Sequence, residues 1–225
     1  MYAWGLNSSG QLGLNDSINR SSPTQVSNNY PTFLFNGASY YEIAYNSAFE
    51  LSNQNWTMEA YIYPTTTGVG RGIVNNWNGG GEFGWEITST NFLRFFYTNT
   101  TNTISTQSYV GTVAISPNVR THIAVVRNGA TITFYYNGVA DGTTFNAGSD
   151  TLYYYLLTSK PLRYGINSDG TQYFNGYIDN LRIVKGVAVY TGNFTTPTAP
   201  LSITQAAGTN ISAITGTQTL LLALS

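Results

Sequence analysis

Residues 120–142 read RTHIAVVRNGATITFYYNGVADG. Two Asn-Gly pairs, Asn128-Gly129 and Asn137-Gly138, bracket the run ATITFYY. Asn-Gly supplies the positive φ angles that tight turns between antiparallel strands require, so the spacing predicts a three-stranded meander. Within its first strand Ile123, Val125 and Arg127 share one face, and His122, Ala124 and Val126 the other. Both faces are largely apolar, which predicts a strand covered on both sides, as between two packed sheets.

Working outward, SYYEIAY, WTMEAYIYP, GIVNNW, GWEITS, FLRFFYT, PLRYGI and GYIDNLRIV repeat the same theme. These are short runs rich in β-branched and aromatic residues, separated by Gly, Asn, Asp and Pro clusters, at the spacing of an all-β sandwich or barrel. No stretch carries a convincing helical period. Trp56 and Trp85 lie in such runs and are expected in the core. The chain divides into a polar, turn-rich segment 1–29, a patterned body 30–198, and a Thr, Ala and Ser-rich tail 199–225 that ends in LLLAL.

Composition narrows the function. Only 8% of the 225 residues are charged, against about 25% in an ordinary domain, so the surface relies on uncharged hydrogen-bonding groups. Nine Lys plus Arg face ten Asp plus Glu with no basic cluster, which sets nucleic-acid binding aside. The absence of cysteine removes disulfides, thiolate metal sites and cysteine nucleophiles. The N-terminal residues lack a basic and apolar leader pattern, and no apolar run is long enough to span a bilayer, so membrane insertion is not expected.

FNGASYYEIAYNSAFELSNQNWTMEAYIYPTT, GWEITS, RTHIAVVRNGATITFYYNG, PLRYGI and FNGYIDNLRIV together resemble, in that order, the laminin G-like domains of the concanavalin A-like lectin and glucanase superfamily. The resemblance covers roughly residues 33–185 and implies a jelly-roll sandwich of two antiparallel sheets with a concave face and ligand-bearing end loops. YAWGLNSSGQLGLNDSINRSSPTQV resembles part of a regulator-of-chromosome-condensation propeller repeat, too short to build a blade; a docking or assembly arm is one reading of it, a remnant the other. The segment from VKGVAVYTGNF onward is similar to linkers that follow such domains in bacteriophage structural proteins. The resemblance therefore implies a virion structural protein, homo-oligomeric or bound to other virion proteins, with a lectin-like domain for weak host-glycan adhesion. A secreted or cell-surface bacterial lectin is the alternative.

Candidate chemistry follows from residue types. Sugar rings stack on aromatic faces and are bordered by planar polar groups, which points to Trp77, Tyr97, Tyr153, Tyr154, Tyr155 and Tyr173. A glycoside hydrolase would need two carboxylates; Glu82 and Glu86 flank Gly84 where the glucanases of this superfamily carry a third acid. The single histidine, His122, has no nucleophile elbow to serve and is expected to be structural. Asp179 is harder to place. Strict alternation through GYIDNLRIV puts it in a row with Tyr177, Leu181 and Ile183, and a carboxylate facing a core needs backbone donors, an arginine or a cation as partner. No cofactor is required; a structural calcium, which the resemblance implies, would use Asp179 and Asn36, although the family's usual carboxylate is an amide at Asn36.

Overall fold

A computed structural model describes residues 2–5, 19–25, 33–76, 83–99, 105–152 and 160–224. The chain forms two compact units, Met1–Pro31 and Thr32–Ser225. In the first, β1 (Tyr2–Gly5) pairs antiparallel with β2 (Arg20–Gln25), Tyr2 opposite Gln25.

The second unit is an all-β jelly-roll sandwich. Its strands are β3 (Phe33–Asn36), β4 (Tyr41–Ile43), β5 (Trp56–Pro64), β6 (Arg71–Asn75), β7 (Phe83–Ile87), β8 (Phe92–Asn99) and β9 (Ser105–Ala114). They continue with β10 (Thr121–Asn128), β11 (Thr131–Tyr136), β12 (Val139–Asn146), β13 (Leu162–Tyr164), β14 (Asn175–Lys185) and β15 (Thr219–Ala223). A seven-stranded sheet runs β12-β11-β10-β5-β14-β15, with β3 on the first half of β14; a six-stranded sheet runs β4-β13-β6-β7-β8-β9. Every named strand pair is antiparallel, and the described residues contain no α-helix.

The meander is there as β10-β11-β12, but its two turns differ. Asn137 and Gly138 both have positive φ, as a type I′ turn needs, whereas at the other turn only Gly129 does and Asn128 ends β10. Between the sheets lie Trp56, Trp85, Met58, Phe95, Ile123, Val125, Phe134 and Ile183, all essentially solvent-free. Burying each such side chain contributes about 1.5–3 kcal/mol, so this layer dominates the stability.

The outer face of β10 is buried too, though not by a second sheet. Residues 187–214 cross the outside of the seven-stranded sheet and form a second apolar layer: Val189, Tyr190, Phe194 and Ile214 pack on Ala124, Val126, Tyr135 and Val184. The segment that resembled a linker is therefore part of the fold. Buried bonds fix it in place. Thr57 Oγ1 accepts from Val189 N, Asn180 Oδ1 accepts from Leu201 N, and Tyr61 donates to Pro197 O. The apolar terminus then enters the sheet as β15, pairing Leu221 with Ile183 and Ala223 with Leu181.

Strict alternation in β14 fails at one point. Asp179 faces Tyr61 and Arg182 faces Glu59, so Asn180 and Leu181 stand against Ala60 alone, a β-bulge with Asn180 at φ 51°. The extra residue changes the parity: Ile178, Leu181 and Ile183 point inward while Asp179 and Arg182 point outward. Asp179 does not face the core. Both its oxygens lie 3.1 Å from Arg120 Nη2, and Asn180 Nδ2 donates to one of them.

Candidate functional site

Under the crossing segment sits a buried cluster of charged side chains. Glu59 Oε1 accepts from Arg182 Nε (2.8 Å) and Nη2 (2.5 Å), and Glu59 Oε2 accepts from His122 Nε2 (3.1 Å) and Tyr190 OH (2.5 Å). Burial alone would raise the Glu59 pKa, but the bonds from His122, Arg182 and Tyr190 outweigh it and hold the carboxyl below its usual range. Glu59, His122 and Arg182 are solvent-free, so no substrate reaches them and the network joins sheet to segment. His122 is structural.

The sequence-derived candidates separate on the structure. Tyr97 is fully buried, its hydroxyl bonded to Asp150 and Tyr109, and burial with these bonds drives its pKa well up. It presents no ring face to a ligand, because its position on β8 points between the sheets. Tyr173 is half-buried at the rim and faces a depression. Trp77, Tyr153, Tyr154, Tyr155 and Glu82 lie outside the described residues. Glu86 is buried on the outer side of β7 and pairs with Arg94 at 2.6 Å; burial raises its pKa, with Arg94 opposing. Gly84 beside it has no room for a side chain, since a Cβ there would lie 2.2 Å from the Phe96 ring.

The depression beside Tyr173 has a volume of about 380 Å³, within the roughly 300–1,000 Å³ of small-ligand sites. Four pieces of chain line it, at 37, 66–70, 89 and 171–175. One wall is the tip joining β13 to β14, where Ile166 bridges Tyr173. Asn167 shapes this tip: its Oδ1 accepts from Thr171 N and Gln172 N, and its Nδ2 donates to Gln172 Oε1. Asp169 accepts from the Thr171 hydroxyl and amide, which lowers its own pKa. Opposite stands the 65–70 loop, which approaches so closely that a Cβ on Gly70 would lie 1.8 Å from Gln172 Oε1. Asn175 and Gly37 also line it.

Arg71 sets the loop geometry, and sequence reading missed it. Fully buried, it donates to Thr66 O and to Asn91 Oδ1, tying the 65–70 loop to the turn that carries Ser89. Burial lowers its pKa. An arginine opening a strand after Gly-rich residues gave no pattern that could have identified it. The lining groups are hydroxyls, amides and glycine backbone from Thr66, Ser89, Thr171, Gln172, Asn175 and the glycines, with Tyr173 and Val69 as apolar elements. The described residues lining it carry no charge, and the Thr66 hydroxyl has no hydrogen-bond partner among them.

The residues named for calcium do not come together as a ligand set. Asn36 Oδ1 accepts from Ala38 N and Ser39 Oγ in a local turn, while Asp179 faces a guanidinium that would repel a cation. Calcium takes six to eight oxygens, carboxylates foremost, and the described residues hold no group of three or more acidic, His or Cys side chains suited to a metal.

Comparison with known proteins agrees with this architecture. Residues 35–189 match the profile of the concanavalin A-like lectin/glucanases superfamily, and the chain belongs to that family. Residues 1–32 match the regulator of chromosome condensation (RCC1) repeat. Among solved structures, a Bacteroides ovatus protein described as carbohydrate binding superposes with TM-score 0.53 at 15% identity, over 85% of this chain and 58% of that one. The Ruminococcus gnavus IT-sialidase CBM40 bound to alpha2,3 sialyllactose gives TM-score 0.48 at 13% identity, covering 65% and 86%. Domains LG4-5 of the mouse laminin alpha1 chain give 0.48 at 15%, covering 75% and 46%. No curated protein matches the chain in sequence.

Proposed function

We propose that this protein is a non-enzymatic carbohydrate-binding protein whose rim depression holds a neutral glycan. The uncharged lining carries this reading: hydroxyl and amide groups converge beside one tyrosine face, the chemistry that matches sugar hydroxyls and the apolar face of a pyranose. Glu86 is buried against Arg94, and Gly84 stands where a glucanase would carry a third acid, which supports a binding role over hydrolysis. Binding needs no metal ion. A glycan array of neutral and sialylated oligosaccharides tests the proposal. The intact protein should retain neutral glycans, and Tyr173→Ala should weaken them roughly 2- to 10-fold, the worth of one aromatic contact; selective retention of sialylated glycans, or an unchanged Tyr173→Ala variant, would contradict it.

We further place this binding module on the outside of a virion, as a homo-oligomeric bacteriophage structural protein. The low charge and the repeat fragment at the N-terminus support this reading, and a secreted or cell-surface lectin fits the fold equally. Mass photometry of the intact chain and of a variant lacking residues 1–29 tests it: the intact chain should form a defined oligomer that the deletion weakens. Identical assembly removes the arm from the account.

A further inference from the structure

The segment 187–214 leaves one end of the seven-stranded sheet's outer face uncovered. There the register places Tyr177 of β14 between Leu34 of β3 and Tyr63 of β5, in a single cross-strand row. Leu34 is 59% exposed and Tyr177 37%, and the two tyrosine rings are 5.9 Å apart. The core lies on the opposite face of these strands, so packing does not call for this row.

The next row along the same face is Asn36, Asn175 and the adjoining Thr65, about 7 Å away by strand rise. Thr65 Oγ1 donates to Asn175 Oδ1, and Asn175 also lines the rim depression. The depression and the apolar row are thus continuous through one amide. On the far side Arg120 lies 3.7 Å over the Tyr61 ring and pairs with Asp179, so the charges bordering the row neutralise each other.

We infer that the Leu34–Tyr177–Tyr63 row extends the rim depression and stacks further residues of a neutral oligosaccharide chain, so that the protein reads a run of sugars and not a single one. The inference rests on the proposed function. A pyranose chain presents apolar ring faces and hydroxyl edges in alternation, which the amide row and the aromatic row match in order. A protein partner fits less well: stable protein interfaces bury about 20–30 residues a side, and the strip is bounded by the Arg120–Asp179 pair and the crossing segment.

The test uses the intact chain in affinity electrophoresis through gels holding mannan, glucomannan, xylan, dextran or amylose. Calorimetry with the di- and hexasaccharide of the retarding polymer follows. The hexasaccharide should bind at least about 10-fold tighter than the disaccharide, and Tyr177→Ala should bring the two within about 2-fold while leaving the disaccharide unchanged, the loss expected of ring-face contacts. Leu34→Asn, at the most exposed position of the row, should act in the same direction with an unaltered melting temperature. Gln172→Ala should weaken both ligands. If Tyr177→Ala and Leu34→Asn keep the full chain-length preference while Gln172→Ala abolishes binding, the extension is wrong and the proposed function stands. If no polysaccharide retards the wild-type protein, both fall. A concentration-dependent dimer that Tyr177→Ala dissolves would make the row a self-association surface and overturn the inference.

Discussion

Replacing Glu59 by Gln removes one charge from the buried network and leaves its shape nearly intact. An amide has one acceptor oxygen and one donor nitrogen, whereas the four groups around Glu59 all donate: Arg182 Nε and Nη2, His122 Nε2 and Tyr190 OH. The new nitrogen must therefore face a donor, and the Arg182 charge stays buried with neutral acceptors alone, Ser202 O, Gln205 Oε1 and at most the new amide oxygen. Breaking one partner out of a buried ion pair costs about 3–5 kcal/mol. For a domain of this size each kcal/mol lowers Tm by about 2–4 °C, so Glu59→Gln should melt roughly 6–20 °C lower. Calorimetry measures the shift, and amide exchange should show faster opening at Val189 and Leu201, whose N–H groups hold the crossing segment. The pH dependence has a definite sign. Because the folded Glu59 pKa lies below its ordinary value, its contribution is fully present above the unfolded pKa of about 4.3 and is lost as pH falls through the folded value. The gap between wild type and Glu59→Gln should therefore narrow in acid. A Tm change under about 2 °C, with unaltered exchange at both amides, would mean that Glu59 does not hold the crossing segment to the sheet.

Other outcomes follow from the same geometry. Glu42→Gln, in the exposed pair with Arg163, should cost less than about 1 kcal/mol by urea unfolding. Asn180→Val should destabilise by about 1–3 kcal/mol through the left-handed φ and by about 1 more through the lost bond to Leu201 N; Asn180→Gly should show mainly the second loss. A chelator should leave the melting midpoint unchanged, since Asp179 takes its counter-charge from Arg120, and a calcium-dependent rise would contradict this. Arg71→Met should weaken glycan binding while Tm falls, because the 65–70 loop loses its tie to Asn91.

Much of the fold could be read from period and turn chemistry. The meander, the core tryptophans and the two-sheet class follow from alternation and Asn-Gly placement, which are local properties. Two features escaped for physical reasons. The bulge at Asn180 inserts one residue, and a single insertion moves every later side chain of β14 to the other face, so strict alternation misplaced Asp179. The crossing segment carries no strand period; its apolar residues Val189, Tyr190 and Phe194 are spaced to fit a sheet surface that only the tertiary fold supplies. At the site, aromatic type named Tyr173, which lines the depression, and Tyr97, which is buried between the sheets, because residue type does not tell which face of a strand a ring takes. The lining glycines and amides are common throughout this Asn- and Gly-rich chain, and only the convergence of four separated stretches sets them apart.

On the proposed function, neutral sugars occupy the rim between the 65–70 loop and the β13–β14 tip. Amide chemical-shift mapping of the intact protein during titration with the best-bound neutral oligosaccharide tests this residue by residue. Shifts should concentrate at Gly37, Gly68, Gly70, Gln172, Tyr173 and Asn175. Shifts clustered instead around Glu86, Arg94 and Phe96, on the outer face of the six-stranded sheet, would contradict it.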